Sequence, residues 1–334
     1  MYQGMKRTLT SLLVVLISAV SLHAQAVRAA MHMVPTGKGW AVMAQDDPGD
    51  APQGDGAVGS LKAWQSVART TNSNGMIYHG GKVMGGTVHV YFIWYGDWTN
   101  GAKKSDSQQT VSLMSALYAR TGGLGGSKLA LINSTYSDTT QTVTGSFYLV
   151  QSTTDDYSQG KNLTDAGVKA VVTKAIQSGR LPKDANALYF VLTSSDVNET
   201  SGFCTKYCGW HDHSTILGSD VKYSFVGNPD RCAMSCEAQL QSPNGNSGAD
   251  GMASIMAHET SESLTNPDLN AWYDASGNEN GDKCAWTYGP LHGTLGYGAY
   301  NQTFGTHNYL IQMIWENTRG GGCDQVLGGK FYNQ

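Results

Sequence analysis

Charge is scarce in this sequence: Asp, Glu, Lys and Arg together make up only 14% of its 334 residues. The formal net charge is −4 at pH 7, and no basic stripe stands against it, so nucleic acid is excluded as an electrostatic partner. No apolar run approaches the roughly 20 residues that a membrane-spanning helix needs. A G-x-S-x-G elbow is missing, as is a glycine loop set before a helix to cradle phosphate. There is no internal repeat. Glutamate is rare as well: there are six in all, yet Glu259, Glu262 and Glu279 fall within 21 residues.

At the N-terminus, Lys6 and Arg7 precede the short apolar run 12–17, and Ala24-Gln25-Ala26 follows. A basic start, an apolar core and an A-x-A site predict a secretory signal peptide over residues 1–26. Cleavage removes both charges and takes the formal net charge from −4 to about −6. A secreted protein with no membrane span after processing is expected. Residues 27–60 then read as a disordered leader rich in Asp, Gly and Pro, unable to bury enough surface to fold. The folded domain is expected over 61–334.

Six cysteines lie in that domain: Cys204, Cys208, Cys232, Cys236, Cys284 and Cys323. Two C-x-x-x-C pairs resemble a four-cysteine zinc cluster. An even count in an exported chain favours disulfides instead. The expected grouping joins the first four as one staple and pairs Cys284 with Cys323.

Apolar periodicity predicts strands over 87–96, 145–151 and 186–197, with helices over 107–121 and 164–179 between them. Thr164 is the expected cap of the second helix and Gly179 its stop. This alternation points to an α/β (α+β) fold with a mixed, largely buried sheet. Residues 200–250 show no sustained period and read as an irregular segment pinned by disulfides. A helix follows over 250–264, with Asp250 as candidate N-cap and Asn266-Pro267 as its end. A last regular piece spans 307–317. Trp94, Tyr95 and Trp98 could line a substrate groove or simply fill the core.

The last predicted helix carries the chemistry. "AHETSESLTNP" (257–267) departs by one letter from H-E-x-x-H, the zinc-protease signature. One helical turn separates His258 from Glu262, so both can reach one ion. Glu259 projects about 100° away and is placed to act as general base toward metal-bound water. A third ligand is expected from "WYDASGNENGDKC" (272–284). Asp282 is preferred because Cys284 would fix its backbone, and Glu279 is either a ligand or a supporting acid. His211 and His213 offer a rival imidazole. Zinc is the first expectation; a carboxylate-rich set also suits calcium or manganese.

Several segments together resemble the phosphate-induced or EXORDIUM family of secreted proteins. They are "VHVYFIWYGDW" (88–98), "YFVLTSSDV" (189–197), "FCTKYCGWH" (203–211), the block 242–284 and "YLIQMIW" (309–315). The most specific part matches AHE-x-x-E…TNP…AWYD…E-x-x-D-x-C at His258, Glu259, Glu262, Asn266, Pro267, Trp272, Glu279, Asp282 and Cys284. This block resembles that of bacterial relatives, whereas a shorter segment between Cys236 and Ser242 differs from plant members, which are apoplastic and linked to growth. The resemblance implies one secreted, zincin-like domain built around an active-site-type helix. Two functions compete. One is a secreted zinc peptidase-like hydrolase acting on a peptide or cell-wall polymer. The other is a noncatalytic, cell-wall-associated extracellular protein with a structural or vestigial metal site.

Overall fold

Nine residues rich in β-branched and aromatic side chains, Thr87–Tyr95, form the strand (β1) on which the sheet is built. The computed structural model describes residues 75–99, 101–318 and 320–329. The expected signal peptide (1–26), leader (27–60) and domain start near Leu61 lie outside the described residues. In chain order the main elements are β1, α1 (Gln108–Leu117), β2 (Ser146–Asp155), α2 (Asp165–Gln177) and β3 (Ala187–Thr193). They are followed by β4 (Gly209–Ile216), β5 (Ser219–Val226) and α3 (Ser247–Thr265).

The sheet runs β2-β1-β3-β5-β4. The first four positions are parallel, and β4 pairs antiparallel with β5 at one edge. The expected mixed α/β sheet is therefore present. Every residue of β3 is buried, as a parallel strand covered on both faces should be. The bases of the Tyr91 and Tyr189 rings stack across the β1–β3 register with centroids 5.0 Å apart. Trp94, Tyr95 and Trp98 are all buried, and Trp98 Nε1 donates to the Tyr95 carbonyl at 3.2 Å. They fill the core and do not line a groove.

Segment 200–250 departs from the irregular segment expected of it. Residues 209–226 form the β4–β5 hairpin, which completes the sheet. Its period was hidden because β4 carries His211, Asp212 and His213 where a plain amphipathic strand would carry neutral residues. The disulfides flank this hairpin: Cys204–Cys232 and Cys208–Cys236 tie its two ends together in parallel. A loop of this size is worth about 3–4 kcal/mol in lost unfolded-state entropy, and the second bridge adds less because it closes nearly the same loop. Cys284–Cys323 is the third bridge, as the expected grouping had it.

Helix α2 begins as anticipated, with Thr164 Oγ1 accepting from Gly167 N at 3.0 Å, and Gly179 ends it at φ +71°. Helix α3 starts earlier than expected. Its cap is Asn246, whose side chain accepts from Ala249 N, whereas Asp250 sits one turn inside. There Asp250 accepts from Asn244 Nδ2 at 2.6 Å and from Ser242 Oγ. The stretch 307–317 is two short strands, His307–Tyr309 and Ile314–Glu316, in place of one continuous element. Leu310, Ile311 and Ile314 are buried there, while Trp315 is half-buried.

Candidate metal centre

Helix α3 is buried along nearly its whole length although much of it is polar. Three hydroxyls turn back on their own helix: Thr260 donates to Met256 O, Ser261 to Ala257 O and Thr265 to Ser261 O, at 2.8–3.1 Å. Past Asp250, the ionisable side chains left to find partners elsewhere are His258, Glu259 and Glu262. They face β4, which brings His211, and the 279–284 segment, which brings Glu279 and Asp282.

His258 Nε2 stands 3.0 Å from Glu262 Oε1 and 3.6 Å from Asp282 Oδ1. It makes a hydrogen bond with neither, and Asp282 Oδ1 has no partner of its own. Ligands held about 2.0–2.2 Å from one ion lie about 3.0–3.6 Å from each other in tetrahedral or octahedral geometry. The two distances from His258 Nε2 have that spacing, and all three donors lie within 4.8 Å of one another. On its far side the imidazole is oriented by Gln312, whose Oε1 lies 3.1 Å from His258 Nδ1. Glu262 Oε1 accepts from Asp282 N at 2.9 Å, and Asp282 Oδ2 accepts from Glu279 N at 3.1 Å. Gly281 keeps the centre open, since a Cβ there would fall 2.8 Å from Glu262 Oε1 and 3.0 Å from His258 Cε1. The buried donors therefore fit a divalent ion.

Glu279 is placed differently from Asp282. Asn266 Nδ2 donates to its Oε1, and Oε2 lies 2.9 Å from His211 Nε2. His211 Nε2 is also 4.0 Å from Glu262 Oε2. Of the two candidate histidines on β4, only His211 thus enters the centre. His213 joins Asp220 and Asp268, where the Lys222 ammonium, 2.5 Å from Asp268 Oδ1, already supplies the cation. Gln312 was not anticipated at all, because it comes from a separate segment 54 residues beyond His258.

The electrostatics are those of acids crowded out of water. Burial and the nearby Glu262 carboxylate hold Glu259 well above the usual carboxylate range. Burial and Asp282 push Glu262 up to about 7, against the pull of His258. For the imidazoles burial acts the other way but loses to the carboxylates. Glu279, Glu262 and Glu259 raise His211 to about 10, and Glu262 and Asp282 raise His258 well above its ordinary value. Both Glu259 oxygens lack a hydrogen-bond partner, and a Cβ on Gly209 of β4 would stand 3.1 Å from one of them.

Fold and site together define a disulfide-stapled α/β protein with a buried histidine–carboxylate cluster. The chain belongs to the family described as phosphate-induced protein 1 conserved region, whose model matches residues 76–325. Protein EXORDIUM-like 3 of Arabidopsis thaliana is 31% identical over 303 residues, covering 80% of this chain and 88% of that protein. Protein EXORDIUM-like 5 of the same plant is 30% identical, covering 77% and 79%. Protein PHOSPHATE-INDUCED 1 of Nicotiana tabacum is 29% identical over 215 residues, covering 59% and 66%. No solved structure matches the chain. Three disulfides and these relatives are consistent with an extracellular protein.

Proposed function

We propose that this is a noncatalytic extracellular protein, associated with cell-wall polymer, in which His258, Glu262 and Asp282 hold a divalent ion as a structural tie. The carrying observation is burial. His258 is 2% exposed, Glu259 and Glu262 1% and Glu279 0%, whereas a catalytic ion needs a coordination position that substrate can reach. Neither the cavity beside Ser254 nor the one beside Arg231 includes any of these donors. Zinc suits the imidazole best, and the carboxylates also accommodate calcium or manganese. Metal analysis of purified protein before and after chelation, with melting curves alongside, is the test. A chain that carries no stoichiometric metal and melts unchanged after chelation removes the reading.

A hydrolase is the second reading, favoured by Glu259. An acid with two unpartnered oxygens beside a metal set suits a general base better than a ligand. In that case the ion would supply Lewis acidity toward water, and Glu259 would take the proton. The noncatalytic reading expects no turnover across a panel of peptides and wall glycans. Turnover that falls about 10²-fold in Glu259→Gln, with metal still bound, installs the hydrolase in its place.

A further inference from the structure

Glu262 faces two histidines with two different oxygens: Oε1 lies 3.0 Å from His258 Nε2, and Oε2 lies 4.0 Å from His211 Nε2. Each histidine has a second carboxylate of its own, Asp282 for His258 at 3.6 Å and Glu279 for His211 at 2.9 Å. Two sets of one nitrogen and two oxygens thus meet at one shared side chain, each with its donors within 4.8 Å of one another. We propose that the cluster is a two-ion centre, in which His211, Glu279 and Glu262 Oε2 hold a second divalent cation and Glu262 bridges the pair. The inference rests on the reading that the His258 set binds metal.

Three further observations support it. Asn266 occupies Glu279 Oε1 and leaves Oε2 turned toward His211, so the outer carboxylate is oriented by a neighbour in the way metal ligands commonly are. Asn266 is itself held, accepting from Ala271 N at 2.5 Å. Charge is the second. Glu259, Glu262, Glu279 and Asp282 bring four carboxylates into a volume with two imidazoles and, among the described residues, no Lys or Arg ion pair. With metal bound and both imidazoles neutral, four ionised carboxylates would match two divalent ions. The third is Glu259, whose two oxygens are buried and unpartnered and one of which faces Gly209 on the strand that carries His211. A carboxylate bridging two ions about 3.5–4 Å apart is the usual form of such centres. The competing arrangement is one ion, with His211 serving only as hydrogen-bond partner to Glu279.

Stoichiometry separates the two. Protein stripped with chelator and reloaded with Zn²⁺ is weighed by native mass spectrometry, and anomalous diffraction locates the ions. Two zinc ions per chain are expected, one beside each histidine. His211→Asn, which removes the imidazole Nε2, should bind one, and Glu262→Ala should lose both. One ion in the wild type, or two in a folded His211→Asn, overturns the second site and leaves the first standing. No ion in the wild type overturns both. Should His211→Asn fail to fold, the anomalous map of the wild type decides alone: a single peak refutes the inference.

Discussion

His258 Nε2 and Glu262 Oε1 stand 3.0 Å apart, buried, with no hydrogen bond between them. Glu262 Oε1 already accepts from Asp282 N, but a buried imidazole nitrogen left without a hydrogen bond costs about 1–3 kcal/mol unless something else satisfies it. On the proposed reading a divalent ion does so. Chelation should therefore destabilise the protein: at a free metal concentration about 1,000 times Kd, binding adds about 4 kcal/mol of stability. In a domain of this size that corresponds to roughly 10 °C in Tm. Glu262→Ala should abolish both the binding and the chelator-sensitive shift, while Glu262→His should keep them. Calorimetric melts with and without chelator check this, and an unchanged affinity in Glu262→Ala rejects Glu262 as a ligand.

Gln312 tests whether orientation matters as much as ligation. It touches His258 on the side away from the carboxylates, with Oε1 3.1 Å from Nδ1. Its own backbone is tied back to α3, since Gln312 N donates to Ser254 Oγ at 3.2 Å. Removing such a partner usually weakens metal affinity about 10–100-fold. Gln312→Ala should do so without changing stoichiometry, and Gln312→Glu should restore most of the loss. Metal titration against a competing chelator gives the numbers. Equal affinities for all three proteins would exclude an orienting role.

These two residues also mark how far the sequence could be read. His258 and Glu262 were visible because one helix carries both, and helical spacing turns sequence separation directly into geometry. Glu279 and Asp282 were visible as a short polar run ending at a cysteine, with Asp282 preferred as the third ligand; Asp282 lies beside His258 and Glu279 beside His211. The hairpin that carries His211 was hidden by its own polar residues, and Gln312 arrives through tertiary packing that leaves no local period. Helix α3 starts a turn before the expected cap Asp250, because Asn246 caps it from within the stretch that shows no sustained period. Local pattern located elements; only packing assigned partners across segments.

The disulfides should differ in what they protect. Asp282 begins a short 3₁₀ turn that ends at Cys284, and Cys284 is bridged to Cys323, 39 residues away. Cutting that bridge frees the segment that supplies Asp282 and Glu279. The Cys284→Ala, Cys323→Ala double variant should lose about tenfold or more in metal affinity, on the scale of other disrupted supports. The Cys204→Ala, Cys232→Ala variant should lose stability with metal affinity nearly intact, because Cys208–Cys236 still closes the hairpin. Parallel unfolding and metal titrations compare them. Identical metal affinities in the two variants would show that the Cys284 bridge does not support the centre.

Glu199 offers a pH test away from the metal centre. It is buried, Tyr207 OH donates to its Oε2, and Ser201 Oγ lies between the two acids, 2.9 Å from Glu199 Oε1 and 2.8 Å from Asp165 Oδ1. Burial, and then the neighbouring Asp165, raise its carboxyl from 4.5 to about 7. An acid whose pKa is higher in the folded state binds its proton more tightly there. Its contribution to stability is fully present below pH 4.5 and is lost as pH rises to about 7. The drop is at most about 3 kcal/mol, with part of it shared by Asp165. Glu199→Gln supplies the donor to Asp165 at every pH, so its stability should be flatter between pH 4.5 and 7 and exceed the wild type at pH 8. Denaturant midpoints across that range measure both slopes. A Glu199→Gln profile parallel to the wild type would mean that Glu199 keeps its ordinary pKa in the folded protein.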